Sequence, residues 1–365
     1  HNHSYESTRL RQALNIDKKS RQLFRSLGPL HSGWRSWRSR QMNRFASEDS
    51  SIRSEHIMHI PFAVELTEGC SGGCSFCGLS ASYLEQSDSS FQLLGASFTD
   101  FLLQMNSVHG EFGKCGILYW ASDPLDCVDY VLYAEAFRDV FNVFPSTTTA
   151  LAAKYPQRFK AYIDAGGLER PWGLRCSLRS VIEYKQINES LSLYERFSIC
   201  FIPQYREYAS SQAIAGRSYN SNSSNDQQKQ GGTIACMSGL LVSLPRLSVE
   251  LITPCLAEPH HQNGYRSLLH AHPTSASELT KSSEVIINQL PNIPFSLNDD
   301  LAVTIHPSQY SLYMNPEFPD LLDNLAHKSC SLHQIVGSIS DRTQIQRIML
   351  YCLELIQFGV LKASV

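Results

Sequence analysis

The chain has 365 residues, of which 42% are hydrophobic and 18% charged, a balance typical of a globular protein with a buried core. Its net charge of −3 gives no support for nucleic-acid binding through overall charge. No apolar run approaches the roughly 20 residues of a membrane span, so we predict no membrane segment.

Eleven cysteines are present, and the first thirty residues contain no apolar stretch typical of a secretion signal. This favours a cytoplasmic location, where disulfides are rare. Some of the cysteines are therefore predicted to be metal ligands or reactive thiols.

From residue 59 to residue 235, strand patterns alternate with amphipathic helix patterns. Before this region, residues 1–58 are predicted to form a basic, solvated helical extension, with a docking surface for an acidic peptide as the alternative. The predicted strands read "HIPFAVEL", "CGILYWA", "FPSTTTAL", "WGLRCSLRS" and "RFSICFIP". The alternation indicates an α/β fold, either a parallel sheet or an open (β/α) barrel.

The C-terminal third has a different pattern. Residues 236–316 begin with "CMSGLLVSLPRLSVELITPC", which predicts a β-hairpin with a cysteine at each end, followed by a connecting region. Residues 317–365 show three helical patterns and a short apolar strand, which predict a winged-helix-like module. This module has too few basic residues for the phosphate contacts of DNA binding, so no nucleic-acid partner is predicted.

The stretch "GCSGGCSFCG" (69–78) places three cysteines at the spacing Cys70-x3-Cys74-x2-Cys77. A structural zinc site needs four ligands, and no second cysteine pair or nearby histidine completes one. Three thiolates at this spacing are instead suited to one face of a [4Fe–4S] cluster, whose usual complement is four cysteines. One iron then keeps an open position that a substrate can occupy.

The cysteine spacing, the preceding strand and the aromatic Phe76 resemble the signature of the radical S-adenosyl-L-methionine enzymes. The resemblance implies a partial (β/α)6 TIM-like barrel with a [4Fe–4S] cluster held by the three cysteines. It also implies that the open iron binds S-adenosylmethionine, which the reduced cluster cleaves to a 5′-deoxyadenosyl radical. Phe76 is then expected beside the cofactors.

Two further sets of residues match this resemblance. Ser122, Asp123 and Pro124 follow the second predicted strand, where the superfamily carries a Gly-Gly-Glu-Pro-like segment that receives the amino group of the cosubstrate. Here aspartate replaces glutamate and both glycines are missing, and a simple turn is the alternative. In "STTTA" and "RCSLRS", Thr148, Arg175 and Ser177 match strand ends that often hold the ribose and carboxylate; for Arg175, a solvent-facing side chain is the alternative.

The segments "CSGGCSFCGLSA", "YWASDPLD", "FPSTTTA" and "GTIACMSGLLVSLPRLSVELITPC" together resemble the radical peptide epimerases of the proteusin and Nif11-leader type. These enzymes convert L-residues to D-residues in ribosomally made precursor peptides. The resemblance implies abstraction of a Cα hydrogen and return of a hydrogen from a cysteine thiol. It also implies two partners: a precursor peptide, and an external electron donor such as flavodoxin or ferredoxin.

In the resembling enzymes the hydrogen donor is a cysteine late in the chain, which here leaves Cys330 and Cys352. Cys330 opens a predicted helix, whereas Cys352 lies among apolar positions and suits a core cysteine. A rival hypothesis is that Cys236 and Cys255 bind a second cluster together with these two.

Two alternatives to epimerisation stay open. A maturase on the same scaffold would form a crosslink or excise a backbone fragment. A non-catalytic iron–sulfur or winged-helix binding protein is the alternative from another class.

Overall fold

The computed structural model describes residues 26–48, 57–85, 89–168, 173–205, 215–221, 235–257, 261–290 and 348. Its strands are β1 (Ile60–Glu65), β2 (Thr148–Thr149), β3 (Leu174–Leu178), β4 (Ile199–Pro203), β5 (Met237–Ser243), β6 (Ser248–Pro254) and β7 (Tyr265–Ala271). Its α-helices are α1 (Ser32–Glu48), α2 (Phe91–His109), α3 (Tyr130–Phe141), α4 (Pro156–Tyr162), α5 (Val181–Glu189), α6 (Leu193–Ser198), α7 (Gly216–Ser221) and α8 (Leu279–Gln289).

The strands form two sheets. Strands β2, β3 and β4 make a parallel sheet in that order, and the second sheet has the order β1-β5-β6-β7. In the second sheet β1 and β5 are parallel, whereas β6 is antiparallel to both of its neighbours. The predicted α/β organisation with parallel strands is confirmed. Within the described ranges neither sheet closes on itself, so the partial (β/α)6 barrel stays an inference from the resemblance.

The two sheets approach each other through the segment after Gly116. Ile117 forms a single parallel bridge with Ala63 of β1, and the Tyr119 hydroxyl lies 2.9 Å from Oγ1 of Thr148 on β2. The predicted strand "CGILYWA" is therefore reduced to one bridge. Two backbone hydrogen bonds accompany this bridge, from the Val64 amide to the Ile117 carbonyl at 2.9 Å and from the Ile117 amide to the Phe62 carbonyl at 3.2 Å.

Each sheet has a helix-covered face and an opposite face. Leu174, Cys176 and Leu178 of β3 pack in the main core beneath the helices. Because side chains alternate along a strand, Arg175 and Ser177 point to the opposite face. This second face is where a ligand would have access to the sheet.

Helix α1 closes the N-terminal end of β1. Trp34 and Trp37 are fully buried, and the Arg38 guanidinium donates to the carbonyl oxygens of Met58 and His59 at 3.1 and 3.0 Å. Arg44 is also buried, at 3% exposure. The expectation of a solvated extension is therefore wrong for this helix, because its tryptophans supply an apolar stripe. Residues 1–25 lie outside the described part.

The predicted hairpin is confirmed as β5 and β6, which are antiparallel and joined by a turn that contains Arg246. The predicted winged-helix module (317–365) lies outside the described residues, apart from Ile348. Among the described helices, none combines the length and apolar character needed to cross a bilayer.

Candidate functional site

The three cysteines lie in the loop that follows β1. The Cys70 amide donates to the Ser82 carbonyl at 3.0 Å, and the Cys77 amide donates to the Cys74 carbonyl at 3.2 Å. Gly69, just before Cys70, has a φ of +78°, and a Cβ there would lie 2.3 Å from the Tyr83 carbonyl oxygen. The loop can fold back on residues 82–83 only because residue 69 has no side chain.

Two of the three thiols converge. A Cβ built on Gly72 would lie 3.2 Å from Sγ of Cys70 and 3.3 Å from Sγ of Cys74. The Gly72 amide points at Sγ of Cys70, 3.3 Å away. Sulfur ligands supported by a backbone donor are the donor set that iron–sulfur clusters take.

No three histidine, cysteine or carboxylate side chains of the described ranges are arranged to hold a single metal ion. In a cubane cluster each thiolate binds a different iron, so its ligands stand farther apart than those of one ion. Three cysteine sulfurs are a donor set that fits a [4Fe–4S] cluster.

Burial makes these thiols poor acids when no iron is bound to them. It raises the pKa of Cys70 to about 12 and that of Cys74 to about 11, although Arg179 and Arg217 oppose the effect at Cys74. Both thiols are thus protonated at neutral pH. A bound iron would supply the positive charge that holds them as thiolates.

The carboxyl ends of several neighbouring segments meet at the cysteine loop. Asp126 accepts from the Ser71 amide and hydroxyl at 2.8 and 2.5 Å. Arg179, one residue after β3, donates to the Gly72 carbonyl at 3.3 Å, and the Arg217 amide of α7 donates to the Cys77 carbonyl at 2.9 Å. This edge of a parallel sheet is where α/β proteins place their active sites.

Asp123 is turned into the protein. It is 6% exposed, and its carboxylate accepts from the Leu125 amide, the Thr149 hydroxyl and the Ala150 amide at 3.0, 2.8 and 2.8 Å. Pro124 begins a short 3-10 helix, Pro124–Asp126. In this arrangement Asp123 joins the 122–126 segment to the end of β2.

Three of the predicted cosubstrate residues share one face of the β2-β3-β4 sheet. Thr148 and Arg175 are register partners, and Arg175 Nε donates to Oγ1 of Thr148 at 3.0 Å. Ser177 follows two residues along the same face of β3. Arg175 is exposed and Thr148 partly exposed on this face, whereas Ser177 is buried. Ser122 and Phe76 are both partly exposed, Phe76 within the cysteine loop itself.

The hairpin cysteines lie at the opposite end of β1 from the cysteine loop. The Cys236 carbonyl accepts from the amide of Ile60, the first residue of β1, at 2.9 Å, and Cys255 follows the end of β6. The length of β1, roughly 20 Å, separates this end of the sheet from the cysteine loop. Cys330 and Cys352, the predicted hydrogen donors and the other proposed ligands of a second cluster, lie outside the described residues.

Four residues that organise the site were not among the predicted site residues: Glu65, Asp126, Arg179 and Arg217. Each follows or ends a predicted strand, or opens a helix, at the edge where the cysteines lie. The position of these residues relative to a strand or helix end was thus the available sequence signal for a role in the site. Residue type alone did not separate Arg179 from Arg175 in "RCSLRS".

No protein-family model matches the chain. The chain is 27% identical over 286 residues to the uncharacterized protein y4wI of Sinorhizobium fredii, an alignment that covers 73% of this chain and 55% of y4wI. The chain therefore spans little more than half the length of that relative. A crystal structure of BtrN in complex with AdoMet and 2-DOIA matches with a TM-score of 0.39 and 12% identity, over 64% of this chain and 87% of BtrN. At these levels of similarity, a functional assignment depends on the site itself.

Proposed function

We propose that the chain is a radical S-adenosylmethionine enzyme whose [4Fe–4S] cluster is held by Cys70, Cys74 and Cys77. The observation that carries this proposal is the convergence of the Cys70 and Cys74 sulfurs on Gly72, in a loop held by the ends of the neighbouring strands. Three cysteine ligands leave one iron with an open position for the cosubstrate. When bound, the cluster and cosubstrate would supply a 5′-deoxyadenosyl radical.

The residues of the chain have separable roles in this proposal. The Gly72 amide supports the Cys70 sulfur, and Asp126 fixes the loop through Ser71. On this face of the β2-β3-β4 sheet, Thr148, Arg175 and Ser177 would hold the ribose and carboxylate of the cosubstrate. Arg175 is already oriented for this by its bond to Thr148.

Anaerobic reconstitution tests the cluster assignment. We expect about four irons per chain, an electron paramagnetic resonance signal after reduction, and reductive cleavage of S-adenosylmethionine. Substituting Cys70, Cys74 or Cys77 by alanine should abolish all three, whereas Cys115→Ala, at a buried thiol outside the loop, should not. About eight irons per chain would favour the rival model with a second cluster at Cys236 and Cys255.

For the substrate we propose a ribosomally made precursor peptide whose residues are converted from L to D, with electrons from a flavodoxin- or ferredoxin-like donor. Support comes from the motif segments shared with radical peptide epimerases. Abstraction of a Cα hydrogen leaves a planar carbon radical, and a thiol hydrogen delivered to the opposite face inverts the centre. Cys330 or Cys352 would deliver that hydrogen.

Co-expression with a precursor peptide in D2O tests this finer proposal. Each converted residue should gain one deuterium at Cα, whereas in H2O the peptide mass should not change. A mass change in H2O would indicate crosslinking or excision instead. Cys330→Ala or Cys352→Ala should stop deuterium incorporation; if neither does, the donor assignment is wrong.

A further inference from the structure

Arg179 is held in one orientation beside the cysteine loop. Its Nε and Nη2 atoms lie 2.7 and 2.6 Å from the same carboxylate oxygen of Glu183. The other oxygen of Glu183 accepts from the Arg179 amide at 2.8 Å. Glu183 is itself fixed, because its amide donates to the hydroxyl of Ser180, the N-cap of α5. A guanidinium bound in this way has little freedom to turn to solvent.

The free edge of this guanidinium is directed at the cysteines. Nη1 of Arg179 donates to the Gly72 carbonyl at 3.3 Å, and Gly72 is the residue on which the sulfurs of Cys70 and Cys74 converge. The geometry thus places a fixed positive charge next to the proposed cluster ligands.

We propose that Arg179, oriented by Glu183, raises the reduction potential of the cluster bound at Cys70, Cys74 and Cys77. The inference rests on the proposed function. Reduction adds one negative charge to the cluster, and a nearby cation in a partly desolvated site stabilises the reduced form more than the oxidised form. Arg179 is a positioning residue in this role, because it acts through the cluster and not on the substrate.

The test is an anaerobic redox titration of the reconstituted full chain, followed by electron paramagnetic resonance, with iron counted in every sample. Arg179→Gln should titrate at a more negative potential than the wild type, since the cation is lost and Glu183 is left unpaired. Arg179→Lys should titrate close to the wild-type potential, because it keeps the positive charge. Arg138→Gln on α3 is the matched control: Arg138 is also paired with a neighbouring carboxylate, Asp139, and should have the wild-type potential.

The double variant Arg179→Gln/Glu183→Gln removes the ion pair as a unit, which guards against misfolding caused by an unpaired carboxylate. Its potential should lie between those of Arg179→Gln and the wild type. If both glutamine variants have the same iron content and the same reduction potential as the wild type, the inference is overturned. A wild-type chain that takes up no cluster would instead contradict the proposed function.

Discussion

Ser71 and Asp126 are joined by two hydrogen bonds, from the Ser71 amide to Oδ2 at 2.8 Å and from the Ser71 hydroxyl to Oδ1 at 2.5 Å. Asp126 is 8% exposed and ends the short helix after the Ser122-Asp123-Pro124 segment. One buried carboxylate therefore links the residue after the first cysteine to the proposed cosubstrate segment. Lys154 adds an exposed third bond to the same serine hydroxyl, at 2.7 Å.

Asp126→Ala should loosen the cysteine loop, because it leaves the Ser71 amide without its acceptor. Because this amide is only part-buried, the cost should lie at the lower end of about 1–3 kcal/mol. We expect faster hydrogen–deuterium exchange across residues 70–78 and faster loss of iron on dilution with a chelator. Asp126→Asn keeps one acceptor and should be milder, and the exposed Asp139→Ala on α3 should leave exchange in the loop unchanged. Equal exchange in wild type and Asp126→Ala would contradict this role.

Gly216→Ala should separate α7 from the cysteine loop. Gly216 has a φ of +54°, and a Cβ there would lie 2.5 Å from the Gly78 carbonyl oxygen and 2.8 Å from that of Cys77. Both atoms belong to backbone, so the clash cannot be relieved by a side-chain rotation. The bond from the Arg217 amide to the Cys77 carbonyl should be lost as the helix shifts, and iron retention should fall.

Gly173→Ala is the matched control for this substitution. Gly173 also has a positive φ, of +89°, but its Cβ would meet nothing within 4 Å. It therefore carries the backbone strain of about 1–2 kcal/mol without the clash. We expect urea unfolding to show a larger loss for Gly216→Ala, together with a loss of iron that Gly173→Ala lacks. Equal iron retention in the two variants would mean that α7 does not support the loop.

The alternation of strands and helices, the cysteine loop after β1 and the hairpin could be predicted because each depends on local pattern. Period-two alternation also placed Arg175 and Ser177 on one face. The direction of the Asp123 carboxylate could not be predicted, since it is set by the Thr149 hydroxyl and the Ala150 amide, more than 20 residues away in sequence. The extent of pairing of the "CGILYWA" segment could not be predicted either, because its bridge joins Ile117 to Ala63, more than 50 residues away in sequence.

The pairing of Arg179 with Glu183 illustrates the same limit at the site. The i,i+4 spacing across the start of α5 is visible in the sequence, but such spacing is typical of solvent-exposed helix pairs. The Gly72 carbonyl reaches this arginine only in the folded chain, through the path of the cysteine loop. Recognising Arg179 as a site residue beside Arg175 therefore needed the fold.

Asp123 should make stability depend on pH between about 4 and 6. Burial raises the pKa of Asp123 from 3.8 to about 6, even though three hydrogen-bond donors oppose the change. The folded chain therefore binds this proton more tightly than the unfolded chain. The contribution of this group to the free energy of unfolding increases as the pH falls through 6 and is complete below about 4. Between pH 7 and pH 5 the gain is about 1 kcal/mol.

Urea unfolding of the cluster-free chain at pH 7 and pH 5 measures this effect. In Asp123→Asn the difference in the free energy of unfolding between pH 7 and pH 5 should change by about 1 kcal/mol relative to wild type, because the titrating group is gone. Thr149→Val removes one donor to the same carboxylate and should move the pH window upward. An unchanged pH dependence in Asp123→Asn would show that this carboxylate is not the titrating group.

Glu65 and Arg246 should be coupled in their contributions to the free energy of unfolding. They lie at the end of the second sheet that is next to the proposed site. Glu65 ends β1 with a side chain only 2% exposed, and it forms an ion pair with Arg246 in the turn between β5 and β6. Its other oxygen accepts from the Ala121 amide at 3.0 Å, next to the proposed cosubstrate segment. Burial raises the pKa of Glu65, whereas the Arg246 cation lowers it. The carboxylate thus depends on this partner to stay charged.

A double-mutant cycle separates the pair from its surroundings. Arg246→Gln alone leaves a buried carboxylate without its cation and should cost more than Glu65→Gln, because the arginine is 39% exposed and water can solvate it. The double variant should be less destabilised than the sum of the single variants, with a coupling of about 0.5–3 kcal/mol in urea unfolding. Glu65→Gln keeps a carbonyl acceptor for the Ala121 amide, whereas Glu65→Ala does not. Only the alanine variant should therefore weaken binding of S-adenosylmethionine to the reconstituted chain, and equal binding by both variants would exclude a role for this hydrogen bond.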